Sequence, residues 1–120
     1  MPDTTVLVLA SSSPRRIDLM KQVGFSPRVM SPDTDETLLP GENARGMVGR
    51  LAREKAEAVG AELLGKGLSG GKRSLIIAAD TTVVAPDGRT ILAKPRNAAD
   101  ARRMLSRLAG KTHTVFTGYC

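Results

Sequence analysis

The chain has 120 residues, a formal net charge of +6, and 41% hydrophobic and 25% charged residues, an ordinary composition for a folded domain. Its apolar runs are too short to cross a bilayer and its N-terminus does not have the pattern of a secretory signal, so we expect a cytoplasmic protein without membrane contact. The single cysteine, Cys120, excludes an internal disulfide and a cysteine zinc cluster. We predict one domain over residues 1–120.

The first half of the chain alternates predicted strands and helices. An apolar run containing Val and Thr indicates the first strand, and Ser13 before Pro14 is the usual pairing of an N-cap with a first helical residue. Apolar residues recur at helical spacing in a later, longer segment. The predicted elements are a strand over Thr5–Ala10, a helix from Pro14 to Gly24, a strand over Phe25–Ser31, a loop over Pro32–Pro40 and a helix from Glu42 to Leu64.

The second half is predicted to contain more strands and one helix. Asp80 separates two β-type runs and is therefore expected near a strand terminus, where α/β folds place their ligands. The predicted elements are a glycine-rich loop over Gly65–Arg73, strands over Ser74–Ala79, Thr81–Ala85 and Thr90–Ala93, a helix between Asn97 and Gly110, and a strand over Thr112–Gly118. Helices interleaved with strands predict an α/β fold.

The positive charge leaves three kinds of surface open. Clustered Lys and Arg side chains bind nucleic-acid phosphates, but single-strand binding also uses aromatic stacking, and Phe25, Phe116 and Tyr119 are the only aromatic residues. A small polyphosphate would use the same charge without aromatics. Basic surfaces that bind nothing are common, and charge alone favours that interpretation.

The segment Ser11–Arg16 joins a predicted strand to a predicted helix. Backbone N–H groups at a helix N-terminus, serine hydroxyls and arginine side chains are all donors suited to phosphate oxygens. A capped helix whose arginines point into water is an equally good interpretation of this segment taken alone.

Asp80 is the second candidate for chemistry. Its carboxylate could hold a divalent cation or orient a water molecule for attack, whereas a turn aspartate would only bond its own backbone. Together with Glu36 and the cations Arg15, Arg16, Lys55 and Lys94, it makes the set that a metal–triphosphate complex requires.

Six blocks of the sequence, in their order and spacing, resemble the Maf family of nucleoside triphosphate pyrophosphatases. They are Leu9–Arg16, Asp35–Glu36, Leu51–Ala56, Ala79–Val84, Lys94–Pro95 and Gly110–Gly118. The resemblance implies a mixed sheet flanked by helices, the N-terminal portion of the anvil-like fold of Maf and ITPase proteins.

The resemblance also implies an activity. Family members hydrolyse a nucleoside triphosphate to the monophosphate and pyrophosphate with a divalent cation, Mg²⁺ or Mn²⁺. Asp80 matches the proton acceptor, and Glu36 with Asp80 matches the metal-supporting positions. Residues expected to bind phosphate are Ser11, Ser13, Arg15, Arg16, Lys55 and Lys94.

The blocks around Arg15 and Thr81 resemble the subgroup that acts on dTTP, UTP and modified pyrimidine nucleotides, which makes these two residues specificity positions. The implied role is removal of surplus or non-standard nucleotides, and homodimers are expected.

Family members normally continue beyond the position of Cys120 through a region that contributes a base-reading glutamine. We therefore expect part of the sheet to be exposed and one wall of the cleft to be missing. The alternative function is a non-catalytic nucleotide-binding regulator of cell division, acting on septum formation. A basic nucleic-acid-binding domain is a remote alternative.

Overall fold

The computed structural model describes residues 5–66 and 72–120. In these residues, five strands form one mixed sheet, and three helices complete an α/β fold. In chain order the elements are β1 (Thr5–Ala10), α1 (Pro14–Gln22), β2 (Arg28–Met30), α2 (Ala44–Lys66), β3 (Arg73–Val84), β4 (Ile91–Leu92), α3 (Ala98–Leu108) and β5 (Thr114–Tyr119). The predicted fold class is confirmed.

Strand β3 organises the sheet because it pairs with different strands along its length. Its first half runs parallel to β1, with Ala78 opposite Ala10, and β1 in turn runs parallel to β2. Its second half is antiparallel to β5 and, at its end, to β4. Two parallel strands need a long crossover connection between them. Between β1 and β3 this connection consists of α1, β2 and α2.

The prediction of two separate runs on either side of Asp80 is wrong. β3 continues through this residue because β5 supplies partners on both sides of it: Ala78 exchanges two backbone hydrogen bonds with Cys120, and Asp80 lies opposite Gly118. Asp80 is therefore in the middle of a strand and not near a strand terminus.

Helix α2 covers one face of the sheet. Val59 and Leu63 of α2 pack against Val8, Ala10 and Ala78 in a buried cluster. These strand residues lie on one face because side chains alternate along a strand. The helix begins and ends two residues later than predicted. It therefore positions its inward side chains directly over β3.

The opposite face of the sheet carries exposed apolar side chains. Leu75 alternates with Ile76, which packs against the core cluster, and Leu75 is 55% exposed; α1 buries none of its residues. This face of the sheet is therefore partly exposed in the described part of the chain.

Helix caps follow the predicted local chemistry. The Ser13 hydroxyl accepts a hydrogen bond from the Arg16 N–H, and the Asn97 side chain accepts one from Asp100. Gly24 and Gly110 end their helices with positive φ angles, which glycine adopts without steric cost.

Strand and loop boundaries differ more from the predictions. β2 is shorter than Phe25–Ser31 because the N–H of Phe25 donates to the carbonyl of Met20 and so closes α1. β4 occupies only Ile91–Leu92 of the predicted Thr90–Ala93 run. In the predicted loop over Gly65–Arg73 the first two residues belong to α2 and the last to β3, and residues 67–71 lie outside the described residues.

No helix in the described ranges is long and apolar enough to span a lipid bilayer.

Candidate active site

A cleft of about 1070 Å³ brings most of the predicted site residues together. Its walls come from the turn between β1 and α1, the loop after β2, α2, β3, the segment around β4, and α3. The predicted residues that line it are Ser11, Ser13, Arg16, Glu36, Lys55, Asp80, Thr81 and Lys94. Arg15 is exposed and is not part of the lining.

An ammonium group lies between two carboxylates in this cleft. Lys55 Nζ is 2.9 Å from Asp80 Oδ1 and 3.0 Å from Glu36 Oε1. Lys55 and Asp80 are largely buried, whereas the Glu36 side chain is about half exposed. Since both carboxylates bond one nitrogen, their bonded oxygens are at most about 6 Å apart.

Local structure explains how these groups meet. Lys55 lies four residues after the buried Leu51 and four before the buried Val59, a spacing that places all three on one helix face. Asp80 lies two residues after Ala78, so both point toward α2. The alternation of β3 and the period of α2 therefore direct the two side chains at each other.

The charge on Lys55 is stabilised by its neighbours. Burial lowers the pKa of Lys55, but hydrogen bonds to Asp80 and Glu36 outweigh this effect, so its pKa is raised above the ordinary value. Lys55 is therefore a cation at neutral pH.

Arg16 connects the first motif to β3. Its Nη1 donates to the carbonyl of Ala79 over 3.0 Å, and its Nη2 donates to Thr81 Oγ1 over 2.9 Å. Of the two interpretations of Ser11–Arg16, the helix cap is confirmed, but Arg16 does not simply point into water. Its guanidinium is held by Ala79 and Thr81, the two residues that flank Asp80 in the chain.

Ser11 and Ser13 are held at the N-terminus of α1. Ser11 is buried and its Oγ accepts a hydrogen bond of 3.0 Å from the N–H of Ser13. Ser13 Oγ caps the helix at 3.4 Å from the N–H of Arg16. A hydroxyl that accepts can still donate its own hydrogen, so both serines retain a donor for an anion in the cleft.

Thr117 was not predicted from the sequence. Its Oγ1 lies 2.9 Å from Thr81 Oγ1, and the two residues are cross-strand partners in β3 and β5. The register of these strands is the only signal for this contact, because the residues are 36 positions apart. Thr117 therefore fixes the hydroxyl that Arg16 also binds.

The acidic residues of the cleft suit a magnesium ion that arrives with a polyphosphate. Within residues 5–66 and 72–120 no three acidic, histidine or cysteine side chains are grouped as a metal site. Mg²⁺ is commonly held by one or two carboxylates together with substrate phosphates, and Glu36 and Asp80 provide two. The residues present therefore fit a shared site and not a protein-only one.

The other part of the cleft is apolar. Ile91 and Leu92 of β4 face the same space as the α3 residues Met104, Leu105 and Leu108. The apolar side chains of α3 thus line the cleft, while Asp100 is the one buried residue of this helix.

Sequence comparison places this chain among known proteins. The profile of the family described as "Maf-like protein" matches residues 6–120. The chain is 50% identical over 114 residues to a dTTP/UTP pyrophosphatase of Anaeromyxobacter dehalogenans, covering 95% of this chain and 52% of that protein. It is 47% identical over 116 residues to proteins of the same name from Myxococcus xanthus (97% of this chain, 54% of that protein) and Brucella abortus (95% and 53%). The chain spans about half the length of the curated relatives it matches. Because the family match extends over nearly the whole chain, the chain belongs to the Maf-like protein family.

Proposed function

We propose that this chain carries the phosphate-handling part of a nucleoside triphosphate pyrophosphatase that hydrolyses dTTP and UTP to the monophosphate and pyrophosphate. The observation that supports the proposal is the convergence of Asp80, Lys55 and Arg16 in one cleft. The names of the relatives from Anaeromyxobacter, Myxococcus and Brucella support the choice of substrates.

Substrate binding depends on neutralising a highly charged triphosphate. Arg16, Lys55 and Lys94 supply three cations, and the N-terminus of α1 adds backbone N–H donors and a partial positive charge. Lys55 would exchange part of its contact with the carboxylates for a phosphate oxygen. The cations hold the phosphates in the position required for attack by water.

Asp80 is the proposed proton acceptor. Its Oδ1 is bonded to Lys55, and in the described part of the chain its second oxygen has no protein partner, so that oxygen can receive a water proton. The water oxygen bonds to the α-phosphorus while the bond from that phosphorus to the α–β bridging oxygen breaks. Pyrophosphate leaves with that bridging oxygen, and the water proton passes to Asp80.

Glu36 and Asp80 would hold a divalent cation, Mg²⁺ or Mn²⁺, together with the substrate phosphates. When bound, it neutralises phosphate charge and polarises the bonds to phosphorus. The role of the protein in this arrangement is to keep the two carboxylates on one side of the triphosphate.

The base and sugar are proposed to lie at the apolar part of the cleft next to α3. Thr81 faces the same cleft and is held by Arg16 and Thr117, which supports its proposed role as a specificity position. Arg15 lies outside the cleft lining, and its proposed roles in phosphate binding and specificity remain predictions.

The test is hydrolysis of dTTP and UTP by the purified chain with Mg²⁺, measured as pyrophosphate and monophosphate release, with 7-methyl-GTP as the purine nucleotide for comparison. We expect Asp80→Asn to lower the rate at least about 100-fold, as loss of a general base does, while nucleotide binding persists. Asp18→Asn, a matched change at an exposed aspartate on α1, should leave the rate unchanged.

The outcomes separate the candidate functions. Saturable nucleotide binding without product would favour the non-catalytic regulator. Salt-sensitive binding of oligonucleotides with no nucleotide binding would favour a nucleic-acid-binding domain. Sedimentation of the same samples tests the expected homodimer.

A further inference from the structure

Arg50 of α2 makes an unusually complete set of hydrogen bonds for a residue outside the six sequence blocks. Its Nε and Nη2 donate to the two carboxylate oxygens of Glu42 over 2.7 and 2.9 Å, and its Nη1 donates to Glu54 over 3.1 Å. Its Nη2 also donates to the carbonyl of Thr37 over 2.9 Å. The Arg50 and Glu42 side chains are each only 13% exposed.

These contacts fasten the loop between β2 and α2 onto the helix. Thr37 directly follows Glu36, the residue whose carboxylate reaches Lys55. Arg50 and Lys55 are five residues apart on α2, so the loop is bound to the same helix at two adjacent points. Arg50 thus contacts the backbone directly after Glu36, and Lys55 contacts the Glu36 side chain.

The loop has its own internal bonds, but they do not reach the helix. The N–H and hydroxyl of Thr37 both donate to Asp35, at 2.9 and 2.5 Å, and the N–H of Leu39 donates to Glu42 over 3.3 Å. Glu42, at the end of the loop, is itself held by Arg50. Apart from Lys55, which bonds the Glu36 side chain, Arg50 is thus the group that links the folded loop to α2 through these hydrogen bonds.

We propose that Arg50 is a positioning residue for the active site: it fixes the loop that carries Glu36, and so places the Glu36 carboxylate opposite Asp80 across Lys55. The inference extends the proposed function, since the geometry matters for catalysis only if this cleft is the active site. An arginine is required because its planar guanidinium serves three acceptors in different directions, which the ammonium of lysine does not.

The charge of Glu42 is consistent with this arrangement. The hydrogen bonds from Arg50 hold the pKa of Glu42 below its ordinary value, so the pair is ionised at neutral pH. A lysine at position 50 would preserve the net charge but would lose the bidentate bond to Glu42 or the bond to the Thr37 carbonyl.

The first test does not depend on activity. Amide hydrogen exchange in residues 34–39 is measured for the parent chain, for Arg50→Lys, and for the control Arg53→Lys. Arg53 is an exposed residue of the same helix whose nearest acidic partner, Glu57, is 4.0 Å away. We expect exchange in this loop to be about tenfold faster in Arg50→Lys and unchanged in the control. Unchanged exchange in Arg50→Lys would overturn the inference.

The second test separates positioning of Glu36 from a general effect on stability. Rates and Michaelis constants for dTTP are compared for Arg50→Lys, Glu36→Gln and the double variant. If Arg50 acts through Glu36, Arg50→Lys lowers kcat about tenfold in the parent chain and by less than about twofold in the Glu36→Gln background. An equal loss in both backgrounds would show that Arg50 acts by another route.

A parent chain without turnover would count against the proposed function and not against this inference. The same comparison is then made on the affinity for dTTP, and the same non-additivity is expected. If dTTP does not bind either, the amide hydrogen exchange of the loop decides the question. Faster exchange confined to residues 34–39 in Arg50→Lys supports the positioning role. Unchanged exchange, or faster exchange throughout α2, refutes the positioning role.

Discussion

Gly118 in β5 lies so close to α2 that a single methyl group should force the two elements apart. A Cβ at this position would lie 2.5 Å from the carbonyl carbon of Val48, 2.6 Å from its oxygen and 2.7 Å from the nitrogen of Gly49. Ordinary contacts begin at 3.4 Å, so α2 must move by about 0.9 Å. All three atoms belong to the backbone, so no side chain can rotate away.

We expect Gly118→Ala to lower the free energy of unfolding by about 3 kcal/mol, the upper part of the range for overpacked cores. Gly49→Ala is the matched control at the same contact, because a Cβ there meets nothing within 4 Å. It replaces a glycine inside a helix and should raise stability by about 0.5–1 kcal/mol. One added methyl group thus has opposite effects on the two sides of a single interface.

Urea denaturation followed by far-ultraviolet circular dichroism measures both variants. With a slope near 2 kcal/mol/M, the two midpoints should differ by about 2 M. A midpoint for Gly118→Ala at or above that of the parent chain would refute the proposed close packing. Because Asp80 lies opposite Gly118, the displaced helix should also weaken nucleotide affinity in Gly118→Ala and not in Gly49→Ala.

Two further predictions concern charged groups. Hydrogen bonds from the Thr90 hydroxyl and from the backbone of Thr90 and Arg89 hold the pKa of Asp87 far below its ordinary value. The contribution of these bonds to folding stability is therefore present above the unfolded-state pKa of Asp87, near 3.9. It is lost as the pH falls toward the folded-state pKa. Asp87→Asn should lower the urea midpoint at pH 7, and the difference from the parent chain should narrow toward pH 2; a difference independent of pH would contradict this assignment. Lys55→Met should destabilise the chain by about 1–3 kcal/mol, because two carboxylates lose their shared partner. By contrast, Lys94→Met changes an exposed cleft residue, so it should weaken dTTP binding and leave the urea midpoint unchanged.

Local chemistry could be predicted well. Ser13 and Asn97 cap helices because their short polar side chains accept from backbone N–H groups a few residues away. The length of α2 follows from its apolar period, and the boundaries of β1 match the apolar run. Strand ends were less predictable, because Phe25 is bonded to the preceding helix and not to a neighbouring strand.

The candidate site could be predicted in its residue types but not in its arrangement. Arg15 and Arg16 are adjacent in the chain and equivalent by composition, yet only Arg16 enters the cleft, since consecutive helical residues point about 100° apart. Arg50 and Thr117 have no local signal, because their partners are defined by a loop conformation and by a strand register.

By itself, the sequence determined the order of helices and strands, the helix caps and the family to which the chain belongs, since each depends on residue types at short spacing. Only the tertiary structure decided that β3 continues through Asp80 and that the carboxylates of Glu36 and Asp80 both bond Lys55 Nζ. The reason is physical: strand pairing and side-chain convergence join residues far apart in the chain, as in the 63 positions between Arg16 and Ala79, and depend on contacts that exist only once the sheet has formed.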